Sequence, residues 1–492
     1  MKMPYVSTLI KITGISVLLY ICPIYPNTHA AQTCNRNHTF FMPRQVTTNA
    51  TLELALSNHY FYHAISCASD RSFIQVQASY FHQESRSNCK IGSYFLPHQQ
   101  STITIAEDGT GDIGSLWLGI IAPDSEQFIS KLQLAPKRMV NGVYITTYAD
   151  VSRWCYGLWA TMSFAAGRAR HTLGACETGT HNGVLPHRQT ALEALSASDL
   201  AAGKFYAGSI SKSGVDDIQF KLGYNYYLTN QDHLGLYISA TAPTGDAQTS
   251  NVIFEPIFGS THASVGAGYS QDIALWNCQN NSLSWMLDAH YRFVFPAIQR
   301  RSFDLEVNGD WSRYLLVATP DQPALSMSGN NFFTQLACVT PGSTVEFWTA
   351  LHFNYCAYNI ELGYNLWWKQ REKICLGNKL DTIGIYDLAS NCRRSLDSAS
   401  QAHISQSLLG TNIAPSDATF TTVKAQDLRL VSGAHPRAVT HTLYLAASYL
   451  TTIELNCKMY PTMFGFGCSY EHAQSNAALE PWSLWLKTAV SF

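Results

Sequence analysis

The sequence predicts an all-β fold, a transmembrane antiparallel up-and-down β-barrel of about 12 to 14 strands with long outer loops. Only 13% of the 492 residues are charged, and the mean hydropathy is −0.06 although 46% of the residues are hydrophobic. Apolar and polar residues alternate in many segments, and short and long connections alternate between those segments. Alternation dilutes the apolar residues of a membrane strand, so a barrel needs no long apolar run.

The composition excludes several other classes of protein. The 32 Lys and Arg and 34 Asp and Glu give a net charge of −2, so there is no basic excess for nucleic acid and no acidic tail. An aromatic content of 12% is too high for a disordered chain. After residue 25 no apolar run approaches the ~20 residues that a spanning helix needs.

Residues 1–30 are predicted to be a cleaved secretory signal. Lys2 and Lys11 supply positive charge, residues 12–25 supply the apolar core, and a small residue, Ala30, ends the segment. An uncleaved anchor is the alternative. A cleaved signal and a barrel together predict export to a bacterial outer membrane.

Residues 31–72 precede the first clear strand and are predicted to form a short helix or a plug. Leu52, Leu56 and Tyr60 recur at helical spacing in this segment. Residues 73–492 are then the barrel domain.

Period-2 alternation predicts thirteen strands, with 113–121 as a candidate fourteenth. In the last segment one face is apolar and the other mixed, as a wall between lipid and water requires. The predicted strands are 74–80, 126–134, 143–148, 154–164, 216–228, 232–242, 262–276, 283–295, 345–357, 359–370, 440–455, 462–472 and 484–492.

The connections support a membrane barrel over a soluble sandwich. Counted back from Phe492, every short link after residue 229 falls on the periplasmic side and every long link outside. Upstream of residue 229 this division has an exception, because residues 135–138 would form a tight turn on the outer side. The longest outer loops are predicted at about 165–215, 296–344 and 371–439.

The strand positions also predict which side chains have a role. Leu486, Val490 and Phe492 form a C-terminal aromatic strand of the kind that barrel-assembly machinery recognises. Inward-facing polar residues are candidates for lining a pore, and alternation alone assigns their direction. They are Gln75, Gln77, Lys221, Glu361 and Lys487.

The cysteines predict disulfides in an exported chain. Of the 13 cysteines Cys22 lies in the predicted signal, which leaves an even number. Cys457 and Cys468 are candidates for a bridge across a hairpin, while the other pairings stay open. The alternative is that most cysteines are small buried hydrophobic residues.

No motif for catalysis, cofactor binding or metal binding stands out. Ser209 and Lys212 match the S-x-x-K spacing, but the partner motifs are missing. His59 and His63 share a face, yet the sequence places no third metal ligand beside them. We therefore expect a protein that is not an enzyme and has no cofactor.

Several segments together resemble a family of uncharacterised, predicted outer-membrane barrel proteins of intracellular bacteria. The resemblance runs from about residue 40 to the C-terminus and departs from the family near the end, where the last link is longer and carries Cys468. It implies the barrel architecture and no catalytic residue. The segments are Phe40-Phe41-Met42-Pro43-Arg44 with Thr47-Thr48-Asn49, Leu222-Gly223-Tyr224-Asn225, Ala240-Thr241-Ala242-Pro243-Thr244-Gly245, Phe254-Glu255-Pro256-Ile257, Arg300-Arg301-Ser302-Phe303-Asp304 and Leu362-Gly363-Tyr364-Asn365.

These observations favour a porin-like passive channel for small solutes. A structural or surface-interaction barrel without a conducting pore is the alternative. A lipid-modifying enzyme and a soluble exported β-sandwich are less well supported by the sequence. The expected partners are outer-membrane lipids, the barrel-assembly machinery, small solutes and, in a homo-oligomer, further copies of the chain.

Overall fold

A computed structural model describes most of the chain. The described residues are 39–40, 50–57, 73–86, 88–123, 126–179, 182–229, 232–278, 281–318, 327–377, 383–387, 392–394, 402–406, 425–455 and 457–492. The predicted signal segment 1–30 and the histidines at 59 and 63 lie outside them.

Twelve antiparallel strands close into a barrel. Each strand pairs with its neighbours in sequence, and β1 pairs with β12 to close the ring. The strands are β1 (Ile74–Arg86), β2 (Lys137–Asp150), β3 (Leu158–Thr172), β4 (Ile218–Leu228), β5 (His233–Ala242), β6 (Ser264–Cys278), β7 (Asn281–Val294), β8 (Gly342–Tyr355), β9 (Tyr358–Lys369), β10 (Ala438–Leu455), β11 (Lys458–Ala473) and β12 (Glu480–Ser491).

Side chains alternate between the two faces of the barrel wall because successive residues of a strand point in opposite directions. In β12 the side chain of Leu486 is 64% exposed on the outer face, while the adjacent Lys487 is 3% exposed and points inward. The outer face is therefore apolar and the inner face polar.

The connections divide the barrel into two ends. Five short turns, together with both ends of the barrel chain, lie at one end, where the backbones of Ile74 and Phe492 exchange two hydrogen bonds. We call this the turn end. Six long links lie at the opposite, loop end: 87–136, 173–217, 243–263, 295–341, 370–437 and 474–479.

The described parts of the six long links fold together into a cap over the loop end. It contains α2 (Asn88–Phe95), α3 (Ala191–Leu195) and α4 (Asn330–Phe333); a short helix, α1 (Ala50–Leu54), lies inside the barrel. One four-stranded sheet joins Ile113–Gly114, Thr102–Ala106, Ile129–Gln133 and Cys176–Gly179, and another joins Met327–Ser328, Leu316–Ala318, Gly384–Asp387 and Cys392–Arg394. The remaining elements are strands Ala297–Ser302, Thr334–Thr340, Lys373–Leu376, Asp304–Leu305 and Leu428–Arg429, and 3-10 turns Pro97–Gln99, Ser115–Leu118, Ser312–Tyr314, Ala425–Asp427 and Leu430–Gly433. One further strand, Ser209–Val215, pairs with the loop-end half of β3 and extends the barrel sheet.

One apolar core, with residues from all six links, holds the cap together. Its members include Ile91, Leu173, Ile253, Phe303 and Ile374. The indole of Trp311 is fully buried in this core and its Nε1 donates to the carbonyl of Phe95 at 3.0 Å. The cap is therefore a folded layer with a hydrophobic interior.

The predicted strands correspond closely to the barrel, with one correction. Each of the twelve barrel strands overlaps a predicted segment, but the predicted strands 126–134 and 113–121 belong to the cap. Ile129–Gln133 alternates as a barrel strand does, yet it pairs with Thr102–Ala106 and buries Leu132 in the cap core. Five residues rise about 17 Å, which is too short to cross an apolar band about 25 Å tall.

That correction also restores the pattern of connections upstream. The short connection predicted at 135–138 lies at 134–136 and joins the cap strand Ile129–Gln133 to β2, so it is part of a cap link and not a turn between barrel strands. The turns and the cap links therefore alternate along the whole barrel, although the last cap link, 474–479, is no longer than the turn at 151–157. The predicted loop 165–215 begins later than expected, since β3 continues to Thr172.

The predicted bridge between Cys457 and Cys468 is wrong. Cys457 lies in the turn before β11, while Cys468 lies far along the same strand, so the two are roughly 35 Å apart at strand rise. Both are free thiols. The described residues also include the free cysteines Cys89, Cys155, Cys176, Cys278, Cys338, Cys356 and Cys375.

None of the described helices is long and apolar enough to cross a membrane.

Candidate functional site: a filled lumen

The inner face of the barrel is polar on every side, because the inward residues of the alternating strands are mostly hydroxyl, amide and charged side chains. Glu361 of β9 and Lys487 of β12 are almost completely buried there. Several inward aromatic rings lie flat over glycines of a neighbouring strand. At Gly467, for example, a Cβ would come within 2.3 Å of the Trp485 ring. Glycine at such positions lets large rings fit against the wall.

Residues 50–57 occupy the lumen, and we call this stretch the plug segment. Lys221 of β4 forms an ion pair with Glu53, with its Nζ 2.7 Å from Oε1. Lys487 donates from its Nζ to the carbonyl oxygens of Glu53 and Ala55, at 3.2 and 2.5 Å. A cation on the last carbonyls of a helix is favourable because those oxygens lack intrahelical partners.

Two carboxylates on the other side of the ring bind the backbone of the plug segment. Glu346 of β8 accepts from the amide of Ala50 at 3.2 Å, and Glu361 accepts from the amide of Leu56 at 3.0 Å. Leu56, two residues after the end of α1, has a left-handed φ of +55°. The plug segment is thus held by β4, β8, β9 and β12.

Apolar contacts complete the seat of the plug segment. Leu52, Leu54 and Leu56 are buried in a cluster with inward residues of the barrel wall, Trp348 among them. The Leu56 side chain approaches Gly465 so closely that a Cβ there would lie 2.7 Å from Cδ1. The lumen around residues 50–57 is therefore filled by packed side chains.

A second ionic cluster lies between the plug segment and the cap. We call the group formed by Gln299, Arg301, Lys369, Glu372 and His435 the mouth network. Glu372 is its centre, with Lys369 at 3.0 Å and Arg301 at 3.2 Å from its carboxylate. Arg301 also donates to Gln299 at 2.7 Å.

The histidine of the mouth network is neutral. Burial lowers the pKa of His435 to about 3, outweighing the opposing effect of Glu372. Burial alone would raise the pKa of Glu372, but the cations Lys369 and Arg301 and the hydrogen bond from His435 hold it well below its usual range. A neutral His435 can donate from Nδ1 to Glu372 at 3.0 Å and accept from Arg301 at Nε2 at 3.1 Å.

A cavity of about 160 Å³ separates the plug segment from the mouth network. Its walls carry charges of both signs, including Glu53, Asp216, Arg292 and Arg301. Burial, and then the neighbouring Asp217, raise the pKa of Asp216 to about 7. The space could accommodate water or a small polar molecule.

All five residues predicted to line a pore have buried side chains on the inner face of the barrel. Lys221, Glu361 and Lys487 meet at the plug segment. Gln75 and Gln77 lie nearer the turn end, where Gln77 donates to Gln75 at 3.0 Å. Their role in solute passage stays a prediction.

The sequence pattern did not reveal Glu53, Glu346 or the mouth network. Glu53 belongs to a segment before the barrel, and most of the mouth network comes from the long links, where no alternation shows direction. Glu346 alternates within β8, and its inward position could have been found in the same way as that of Glu361. Among the described residues, no group of three or more His, Cys, Asp or Glu is placed to hold a metal ion.

No family profile and no curated protein matches the chain. Among solved structures, it is similar to an outer membrane channel from Pseudomonas putida F1, with a TM-score of 0.37 and 10% identity over 86% of this chain and 96% of the other. A TodX monoaromatic hydrocarbon channel mutant gives 0.31 and 10% over 90% and 94%. The translocator domain of the autotransporter NalP from Neisseria meningitidis gives 0.30 and 7% over 89% and 96%.

Structural similarities with TM-scores this low assign no function. The closed barrel is defined by the strand pairing of this chain. The resemblance to a family from intracellular bacteria stays a prediction. The class of protein that the fold defines is a closed twelve-stranded antiparallel barrel with a filled lumen and a folded cap.

Proposed function

We propose that the chain is a bacterial outer-membrane channel for small polar solutes, closed in the described state by the plug segment. The observation that carries the membrane assignment is the apolar outer face of a closed barrel. Leu236, Ile238, Leu443, Phe466 and Leu486 are all more than half exposed there. A soluble protein rarely exposes a continuous apolar surface of this extent.

Closure of the strand ring also suits a bilayer. A ring that closes through β1 and β12 leaves no sheet edge whose backbone groups would face lipid unpaired. Even the shortest barrel strand, His233–Ala242, has 10 residues, within the usual range for a transmembrane strand. Outer-membrane lipids are therefore the proposed surroundings of the outer face.

The polar lumen supports a path for solutes, and the plug segment supports a closed state of that path. A polar solute can replace one partner of an ion pair such as Lys221 with Glu53, whereas apolar contacts offer it no such replacement. Passage would require residues 50–57 to move away from their contacts with the barrel wall. Lys221, Glu361 and Lys487 would then line the opened path.

A second candidate function is a structural or surface-interaction barrel without a conducting pore. The filled lumen favours it, and so does the cap, whose apolar core spans all six links. In that case the outward surface of the cap would be the functional part. Passage of ions through the open barrel distinguishes the two candidates.

The proposal extends to assembly and export. Phe492 is exposed on the outer face beside β1, with Leu486 and Val490 earlier on the same face. We propose this face of β12 as the signal for the barrel-assembly machinery, reached after export through residues 1–30. Assembly into a homo-oligomer is compatible with the apolar outer face.

Conductance in a planar bilayer tests the channel proposal. The double variant Lys221→Met with Lys487→Met removes the cations that hold the plug segment and leaves Glu53 without its ion-pair partner. We expect the open time to rise by about tenfold or more over the wild type, since breaking a buried ion pair typically destabilises by ~3–5 kcal/mol.

Gln83→Leu is the matched control, because Gln83 also points inward but bonds to Ser483 at 3.2 Å. It should conduct as the wild type does. Heat-modifiable migration in a gel checks that each variant forms a barrel. A correctly folded double variant that seals the bilayer would exclude the channel and favour the structural barrel.

A further inference from the structure

A small sheet in the cap continues the barrel wall beyond the loop end. Its strands Ala297–Ser302, Thr334–Thr340 and Lys373–Leu376 adjoin β7, β8 and β9 in the chain and keep the same order side by side. We call it the mouth sheet. It joins two links, 295–341 and 370–437, which also pair through Asp304–Leu305 with Leu428–Arg429 and through Leu316–Ala318 with Gly384–Asp387.

Two cysteines are directly opposed in the mouth sheet. Cys338 pairs with Cys375 in the antiparallel register, between the pairs Ala337 with Leu376 and Val339 with Ile374. Directly opposed residues point to the same face, with Cα atoms about 4.5–5.5 Å apart. That spacing lies within the ~4.4–6.8 Å that a disulfide accepts.

Both thiols are accessible. Cys375 is exposed and Cys338 is partly exposed, and each is a free cysteine. Their flanking residues Val339 and Ile374 are buried in the cap core. The thiols therefore lie on the outward face of the mouth sheet, where a soluble oxidant can reach them.

No other two cysteines among the described residues are register partners. Cys468, for example, lies opposite Leu445 and Leu484 on the outer face of the barrel. Cys155, Cys278, Cys356 and Cys457 lie at or beside turns of the turn end, away from the cap. Among the described cysteines, strand register therefore places only Cys338 and Cys375 opposite each other.

The opposite face of the same sheet carries the mouth network. Gln299 and Arg301 belong to its strand Ala297–Ser302, and Glu372 immediately precedes Lys373–Leu376. A covalent bond between the second and third strands would fix Glu372 relative to Thr334–Thr340, which pairs with the strand that carries Arg301. The thiols and the ionic cluster are therefore mechanically linked through one sheet.

We infer that Cys338 and Cys375 form a reversible cross-strand disulfide that locks the cap over the mouth of the lumen. One thiolate attacks a sulfur of a disulfide oxidant, forming a mixed disulfide and releasing one thiol. The other thiolate then attacks the protein sulfur of the mixed disulfide, which forms the intrachain bond and releases the second thiol. The two protons pass to the released thiols. The inference does not rest on solute transport.

The test uses the full chain folded in detergent and treated with oxidised glutathione. Free thiols are blocked with N-ethylmaleimide, and a digest is analysed by mass spectrometry without reduction. We expect a peptide that links Cys338 to Cys375 and disappears after dithiothreitol. Alkylation of both residues after oxidation, or their linkage to other cysteines, would overturn the pairing.

Protease cleavage within 295–341 and 370–437 tests the lock itself. Closing a loop of roughly 40 residues restricts the opened state, so oxidation should slow cleavage by about tenfold or more. Cys468→Ser, the matched control, should keep this effect, and Cys338→Ser should lose it. A linked protein that is cleaved as fast as the reduced one would overturn the lock.

Discussion

The barrel and the cap are built from the same chain with opposite distributions of polarity. In the barrel Lys487 is buried and the adjacent Leu486 faces outward. In the cap Trp311 and Phe303 are buried, and charged side chains such as Glu306 are exposed beside scattered apolar ones such as Val307. The proposed location accounts for this difference, with lipid around the barrel wall and water around the cap.

The two regions also differ in how they are held together. The barrel depends on a closed ladder of backbone hydrogen bonds and on ion pairs across the lumen, such as Lys221 with Glu53. The cap depends on apolar burial, supplemented by internal ion pairs such as Arg313 with Asp304 at 2.7 Å. Perturbations of one region should therefore have little effect on the other.

The largest expected effect separates the cap from the barrel. Trp311→Ala removes a fully buried ring and should destabilise the cap by about 3–5 kcal/mol. Limited proteolysis should then cut the long links rapidly while the barrel keeps its heat-modifiable migration. If the barrel were lost together with the cap, the two regions would not be independent.

A charge on the outer face should be the next largest perturbation. Leu486→Arg lies midway along β12 and should cost about 2–4 kcal/mol in lipid vesicles. Trp482→Arg, near the loop end of the same strand, should cost ~0–1 kcal/mol because it lies nearer the headgroups. Urea titration measures both, and equal small losses would mean that the face meets water.

The sequence predicted the barrel well because each strand carries its own alternation. It failed where alternation occurs without a membrane, as in Ile129–Gln133, whose pattern reflects one face on the cap core and the other in solvent. The plug contacts could not be predicted, since Ala50 and Leu56 bind through backbone amides that any sequence would supply. Cys338 and Cys375 show no spacing signal, because strand register alone brings them together.

A change of pH should have an intermediate effect on the free energy of unfolding, through Asp216 in the link just before β4. The pKa of Asp216, raised to about 7 by burial and by Asp217, means that the folded protein keeps a proton that the unfolded chain releases near pH 4. The free energy of unfolding should therefore fall as pH rises from about 4 to 7.

Asp216→Asn should remove that slope. Between pH 5 and pH 8 the free energy of unfolding should fall by on the order of 2 kcal/mol more in the wild type than in the variant. Thermal unfolding at the two pH values measures it. Glu306→Gln, at an exposed position in the cap, is the control and should keep the wild-type slope. An unchanged slope in the Asp216→Asn variant would contradict the assignment.

The smallest effect is expected at the cap surface. Asp199 forms an exposed ion pair with Arg188 at 2.5 Å. Asp199→Ala should change the free energy of unfolding by only ~0–1 kcal/mol, because solvent screens such pairs. A larger loss on chemical denaturation would show that the cap surface contributes more than its exposure suggests.

Nitroxide scanning along β10 in lipid vesicles tests most directly whether the barrel wall faces lipid while the cap faces water. Labels at 443, 444, 445 and 446 are introduced one at a time into a chain whose native cysteines are serine. Leu443 and Leu445 are 63% and 51% exposed, while Tyr444 and Ala446 point inward. Labels at 443 and 445 should collide with lipid-dissolved oxygen and not with a water-soluble nickel complex, whereas those at 444 and 446 should show little oxygen access. Equal access of the nickel complex to 443, 445 and an exposed cap position would contradict a membrane barrel.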